Sequence, residues 1–348
     1  MTNLKTISSL VGFYTTELQN KIRTNLTLTL GDSGSESGNS GVRKELSCLT
    51  TQSSPFQSEG VCLQYIKSDL QAIVCDVLSI DKSYLYMYGD RELVESEIFQ
   101  IKDKITRYKN SEPLAYILGY KYFWDQKLKV TQDTLIPRAD TEILVETVLN
   151  DLKKLPRLAT QSTHSEGECY SFNQVQDGGK NLKILDLGTG TGAIALALAG
   201  ELPEAEITAV DFSVKALDVA KENAIKNDIA NVEFIQSDWY TSLKSFKFDV
   251  IVSNPPYIDE NDNDIDVGVK SYEPASALFA DENGLSDIEV IISQAKRFLV
   301  ENGSLYIEHG YTQSASVQGI YEKYGFMDIE TIKDLNDKDR CTKARISF

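Results

Sequence analysis

Between residues 183 and 257, apolar strands alternate with glycine- or proline-marked turns and helix-forming runs. A parallel sheet covered by helices satisfies that pattern and few other folds do. Lys183-Ile184-Leu185-Asp186-Leu187 runs into Gly188-Thr189-Gly190-Thr191-Gly192 and then into the alanine-rich residues 193–199. Residues 206–211 and 232–235 read as the next two strands, and residues 248–253 as a fourth that ends in Asn254-Pro255-Pro256-Tyr257. Two consecutive prolines cannot donate to a ladder, and they push the residues before them out of the helical region. The strand therefore stops with its carbonyls free, and an amide and a phenol ring project from a stiff turn.

Each strand ends in residues that can hold a ligand, and open α/β sheets take ligands at the carboxyl ends of their strands. Glycines suit a backbone that turns sharply beneath a closely approaching group, although a tight strand-to-helix turn needs them too. Asp211 lies about 20 residues past the glycines, where a nucleoside presents its ribose hydroxyls. Asp238 and Trp239 set a carboxylate and an aromatic wall at the third tip, and Asn254 sets an amide at the fourth. A proline-rich turn after a core strand would explain residues 254–257 without any function. Four successive tips with ligand-binding chemistry point instead to one shared ligand. The spacing Gly188-x-Gly190-x-Gly192 behind Asp186 departs from the Gly-x-Gly-x-x-Gly of dinucleotide-binding folds.

The other segments frame this core. A length of 348 residues leaves room for roughly two domains. The balance of 52 acidic against 35 basic residues, net −17, argues against sequence-independent attraction to nucleic acid. Five cysteines without a Cys-x-x-Cys pair, and only two histidines, argue against a zinc site and for a reducing cytoplasmic compartment. No apolar run approaches the roughly 20 residues that span a bilayer. Leu4, Leu10, Val11, Tyr14 and Leu18 share one face of an N-terminal helix, and the Ser/Gly-rich residues 31–60 read as a flexible insertion. Leu63, Ile66, Leu70, Ile73, Val74 and Val77 mark an amphipathic helix. With later pieces it makes a small helical domain in which Tyr84, Tyr86 and Tyr88 are expected as core and rim packing. Residues 120–124 and 127–130 are expected to form a hairpin turning at Asp125-Gln126. Asp140 or Thr141 is expected to cap the helix over residues 143–149. Residues 155–180 read as a polar surface loop, residues 284–298 as a helix, and residues 304–307 and 327–332 as the last strands.

The glycine spacing, Asp211 and the Asn-Pro-Pro-Tyr tetrad resemble the Rossmann-like S-adenosylmethionine-dependent methyltransferases. Among these the tetrad marks enzymes acting on planar nitrogens: adenine, cytosine or a glutamine amide. A longer set is similar to the bacterial peptide-chain release factor glutamine N5-methyltransferases. It comprises Glu112-Pro113-Leu114-Ala115-Tyr116-Ile117-Leu118-Gly119, Phe123-Trp124, Leu135-Ile136-Pro137-Arg138, Asp140-Thr141-Glu142, residues 186–192, Asn254-Pro255-Pro256-Tyr257 and Glu308-His309-Gly310. It covers nearly the whole chain from Val61 in matching order. Ala139 stands where that family usually has proline, and residues 31–60 and 155–180 look like extra length.

The resemblance implies an α/β fold: a Rossmann-like, seven-stranded methyltransferase domain (residues 141–348) after a substrate-gripping helical domain (1–110) and a linker with a β-hairpin (111–140). It implies methyl transfer from S-adenosylmethionine to the side-chain amide nitrogen of a release-factor glutamine; with the charge, cysteine and apolar-run arguments above, the expectation is a cytoplasmic monomer that binds neither nucleic acid, membrane nor metal. Asn254, Pro255, Pro256 and Tyr257 would be catalytic. Asp186, Gly188, Thr189, Gly190, Thr191, Gly192, Asp211, Asp238, Trp239, Asn254 and Arg138 would line the cofactor site. Glu308 and His309 are expected to be structural. An adenine-N6 nucleic acid methyltransferase would use the same tetrad on a flipped base but needs a basic recognition surface. A catalytically silent binding protein is the third reading.

Overall fold

The computed structural model describes residues 5–30, 59–154, 181–261 and 267–347. The expected insertion up to Ser58, the loop 155–180, Leu4 and the acidic residues 262–266 lie outside them.

The chain divides into two compact units, residues 1–119 with 263–273, and residues 120–262 with 274–348. The first is helical. Leu10, Leu18, Ile66, Leu70, Ile73 and Ile105 pack as its core, on the faces that three-and-four spacing assigns. The helix Lys82–Met87 departs from expectation: Tyr86 and Tyr88 are exposed, because this six-residue helix buries only Leu85 and turns their flank outward. Glu112 accepts two hydrogen bonds from the Arg107 guanidinium, at 2.8 and 2.5 Å, just before the helix Leu114–Leu118, which Gly119 closes in a left-handed conformation.

The second unit holds the hairpin β1 (Tyr120–Phe123) and β2 (Gln126–Lys129), and a sheet of β3 (Lys183–Leu187), β4 (Glu206–Asp211), β5 (Val232–Gln236), β6 (Phe248–Ser253), β7 (Leu299–Glu308), β8 (Met327–Lys333) and β9 (Asp339–Arg345). The sheet order is β5-β4-β3-β6-β7-β9-β8, parallel as far as β7 and antiparallel beyond it. Alternation along β6 serves both layers. Val250 and Val252 join the core under the helices Glu142–Lys154 and Ala193–Glu201, while Ile251 joins that under Ser286–Ala295 and Ser314–Lys323.

Four elements differ from the sequence reading. The hairpin turns at Trp124-Asp125, one residue earlier than expected, with Trp124 at φ 55°, so Gln126 is a buried strand residue donating to the Leu196 carbonyl at 2.8 Å. Neither Asp140 nor Thr141 caps the helix at Glu142. A 3-10 turn, Ala139–Thr141, feeds it directly and leaves both side chains for other partners. Residues 281–284 are a turn with Glu282, Asn283 and Gly284 all at positive φ, and the helix runs over Ser286–Ala295. The central antiparallel strand β9 escaped notice because Arg340, Lys343 and Arg345 look like surface; each is ion-paired to an aspartate.

Candidate active site at the strand tips

β3 and β6 are neighbours, with Leu187 opposite Ser253, so the glycine loop and Asn254 leave adjacent strands at the same end of the sheet. β4 lies on the other side of β3, which makes this the point where strand order reverses and α/β sheets open a crevice. Every residue of β6 is buried, and Ser253 Oγ donates to the Leu187 carbonyl at 2.8 Å, so the tip is rigid where Asn254 emerges half-buried.

Asp186 organises the glycine loop. Its Oδ2 accepts from Thr189 Oγ1 at 2.7 Å and from the Ala195 backbone N–H at 3.2 Å, while its Oδ1 is buried without a partner. Gly190 needs its lack of a side chain: its φ is +55°, and an added Cβ would meet no heavy atom within 4 Å, so the space above it is open. Gly188 lies under the ring of Trp239, whose Cζ3 would be 3.5 Å from an added Cβ. The Asp211 carboxylate accepts from the backbone N–H of Gly190 and of Ser213, both at 2.8 Å, which ties the β4 tip to the loop. Thr189 and Thr191 are buried, and Asp238 is exposed at the β5 tip. Arg138 is half-buried and its charge bears on Tyr257, on the tetrad side of the site. The structure thus joins Asp186, the loop, Asp211 and Trp239 by direct contact, and Asn254 through the strand pairing.

Four contributors were not read from the sequence as site residues. Asn223, fully buried, accepts from Lys129 N–H and donates to the carbonyls of Lys129 (3.0 Å) and Thr191 (2.9 Å), strapping the hairpin to the glycine loop. Thr141 Oγ1 accepts from Asn254 Nδ2 at 3.1 Å. Glu308, expected to be merely structural, accepts from the Tyr257 hydroxyl at 3.3 Å and takes hydrogen-bond stabilisation from Thr141. Arg340 pairs with Asp140 at 3.3 Å and Asp334 at 3.1 Å, and its charge acts on Tyr257 and Glu308. A polar residue at a strand's carboxyl end, the signal that marked Asp211, would also have marked Glu308. His309 is buried between the Gly310 carbonyl and Thr342 Oγ1, at 2.9 and 2.7 Å.

Burial raises the acids here. Asp186 is pushed up to about 7 against its hydrogen bonds, with Asp211 adding to the effect; Glu308 is also pushed up to about 7 by burial. Desolvation raises Asp211 as well. A carboxyl whose pKa rises on folding contributes stability that is complete below its unfolded value and lost as pH climbs through the folded one. His309, held neutral by burial, acts in the opposite sense only below about 6.5. The ligand-free protein is therefore expected to melt lower at pH 8 than at pH 6.5, with a flatter profile for Asp186→Asn. A melting temperature constant across that range would contradict the burial argument.

A model of the PrmC N-terminal domain matches residues 63–119, and one of a methyltransferase domain matches residues 179–343. The chain is 55% identical over 282 residues to a release factor glutamine methyltransferase of Francisella tularensis subsp. tularensis, covering 81% of this chain and 91% of that one. The protein of the same description from Salmonella typhimurium is 39% identical over 281 residues, 81% and 92% of the two chains. That of Escherichia coli strain K12 is 36% identical over 304 residues, 87% and 97%.

Proposed function

This chain belongs to the release factor glutamine methyltransferase family, and we propose that it methylates the side-chain amide nitrogen of a glutamine in a peptide chain release factor, with Asn254-Pro255-Pro256-Tyr257 holding that amide. The observation that carries the placement of the site is the pairing of Leu187 with Ser253 at the reversal of strand order, which sets the glycine loop and an amide-bearing tip side by side, and the relatives named above carry the choice of glutamine.

The methyl donor is S-adenosylmethionine, which when bound supplies a methyl group on a positively charged sulfur. The residues fit such a ligand. Asp186 keeps a buried carboxyl oxygen without a partner, Gly190 leaves its cradle open, and Trp239 offers a ring beside Gly188. Asp211 retains lone pairs beyond its two backbone bonds for ribose hydroxyls. Thr189, Thr191, Gly192, Asp238 and Arg138 complete the proposed surround.

An amide nitrogen is a poor nucleophile because its lone pair is delocalised into the carbonyl. Asn254 Oδ1 and the Pro255 carbonyl, each accepting one N–H, fix the plane of the substrate amide and favour charge build-up on nitrogen. Pro256 keeps the backbone from offering a competing donor. Tyr257 packs on the amide face and excludes water. The proton leaves the nitrogen only after methyl transfer, when the far more acidic methylated amide gives it up to solvent, so no histidine need act as a base beforehand. In this reading the protein is a monomer that meets the release factor in the cytoplasm, and its net charge of −17 disfavours sequence-independent attraction to nucleic acid.

The test incubates the protein and tritiated S-adenosylmethionine with purified release factors in one arm and with DNA or RNA in the other. Label is expected on a release-factor glutamine, located by peptide mass spectrometry. Label on nucleic acid alone would overturn the reading.

A further inference from the structure

Asn254 can serve as an acceptor only if its amide is turned with Oδ1 toward the substrate and Nδ2 toward the protein. The two orientations have the same shape, so packing alone does not select one; a hydrogen-bond partner must. Nδ2 lies 3.1 Å from Thr141 Oγ1, and the Thr141 side chain in turn favours the ionised form of Glu308, a fully buried carboxyl whose Oε1 accepts from Tyr257 and whose Oε2 has no partner. A hydroxyl has one proton to give. We propose that Glu308 acts through Thr141 as a positioning pair that sets the catalytic orientation of the Asn254 side chain, an inference that rests on the methyl-transfer reading above.

The polarity of the chain follows from the carboxylate. Ionised Glu308 can only accept, so the Thr141 proton turns toward it and the Thr141 lone pair faces Asn254, which must answer with Nδ2–H. Oδ1 then faces the substrate. Protonated Glu308 can donate to Thr141, whose own proton then favours Asn254 Oδ1; the amide turns over and presents Nδ2–H, a donor, to a nitrogen that also needs acceptors. The charged and titratable groups facing Glu308 are Tyr257 beyond β6, Asp140 in the 3-10 turn, and Arg340 and Cys341 on β9. Arg340 favours the ionised form, while burial and Asp140 favour the neutral one. The balance places the change near neutral pH, about 7.

The test first establishes release-factor methylation by the wild type, then measures kcat, KM for the release factor and S-adenosylmethionine affinity for Thr141→Val, Thr141→Ser and Glu308→Gln from pH 6 to 8.5. Thr141→Val is expected to lose at least 30-fold in kcat with unchanged cofactor affinity and a melting temperature only a few degrees lower, the cost of one lost hydrogen bond. Thr141→Ser, which keeps the hydroxyl, should stay within threefold of wild type. Wild-type kcat should fall as pH drops through about 7, and that acid limb should vanish in Glu308→Gln, which cannot ionise there. A Thr141→Val enzyme with wild-type kcat, a Thr141→Ser enzyme as impaired as Thr141→Val, or an unchanged acid limb in Glu308→Gln each overturns the proposal. Failure of the wild type to label the release factor would defeat the underlying reading instead.

Discussion

Asn254→Ala is expected to slow glutamine methylation by ~10²–10³-fold or more while S-adenosylmethionine affinity weakens less than about tenfold. The asymmetry follows from where the side chain sits. Its anchor is Thr141, and its backbone continues a fully buried strand, so truncation removes one hydrogen bond at a half-buried site. That costs about 1 kcal/mol of stability, too little to unfold the domain. The glycine loop, built on Asp186, Asp211 and Asn223, makes none of its recorded hydrogen bonds to Asn254 and should survive intact. What disappears is one of the two acceptors proposed for the substrate amide. The Pro255 carbonyl alone leaves the amide free to rotate about the remaining bond, which loses both orientation and charge stabilisation in the transition state. Single-turnover methylation at saturating release factor, with calorimetry for the cofactor, separates the two effects. Turnover at the wild-type rate would remove Asn254 from the mechanism.

The strands and tips of the parallel core were legible because their signals are local: a short apolar run, a glycine or proline stop, a polar residue at the end. Asp186, Gly190, Asp211 and Asn254 could each be read from a window of a few residues. The positioning groups could not. Asn254 and Thr141 are 113 residues apart, and Asn223 reaches Lys129 across 94. Nothing near Asn223 in sequence distinguishes it from an ordinary helix residue; its meaning comes from the two backbones that pack against it. Thr141 was misread for a related reason. A hydroxyl before an apolar helix signals a cap, but the 3-10 turn over Ala139–Thr141 makes a cap unnecessary and frees the side chain to meet Asn254. β9 was hidden by charge, since a run containing Arg340, Lys343 and Arg345 reads as surface until Asp334, Asp151 and Asp328 are seen to neutralise it.

Gly284→Ala should be the most damaging small substitution outside the strand tips, lowering stability by about 2–4 kcal/mol and kcat by ~10²-fold. Gly284 sits at φ +79°, the last of three left-handed residues after Asp281, and an added Cβ would lie 2.0 Å from the Tyr257 carbonyl oxygen and 2.5 Å from its carbon. Both are backbone atoms, so relief requires the tetrad itself to move. The Tyr257 carbonyl is also gripped from the other side. Gln313 Nε2 donates to it and to the Asn283 carbonyl, both at 2.9 Å, while Gln313 Oε1 accepts from Gly310 N–H at 2.8 Å. One amide thereby locks the left-handed turn against the Asn254–Tyr257 turn, and a side chain at 284 breaks into the middle of that lock. Gly190→Ala is the control: it meets no protein atom, so it should cost only the left-handed strain, ~1–2 kcal/mol, while markedly weakening S-adenosylmethionine binding. Thermal melts and cofactor titration of the two variants should therefore diverge, Gly284→Ala losing stability and turnover and Gly190→Ala losing affinity. A Gly284→Ala protein that melts and turns over like wild type would show that the turn does not hold the tetrad in place.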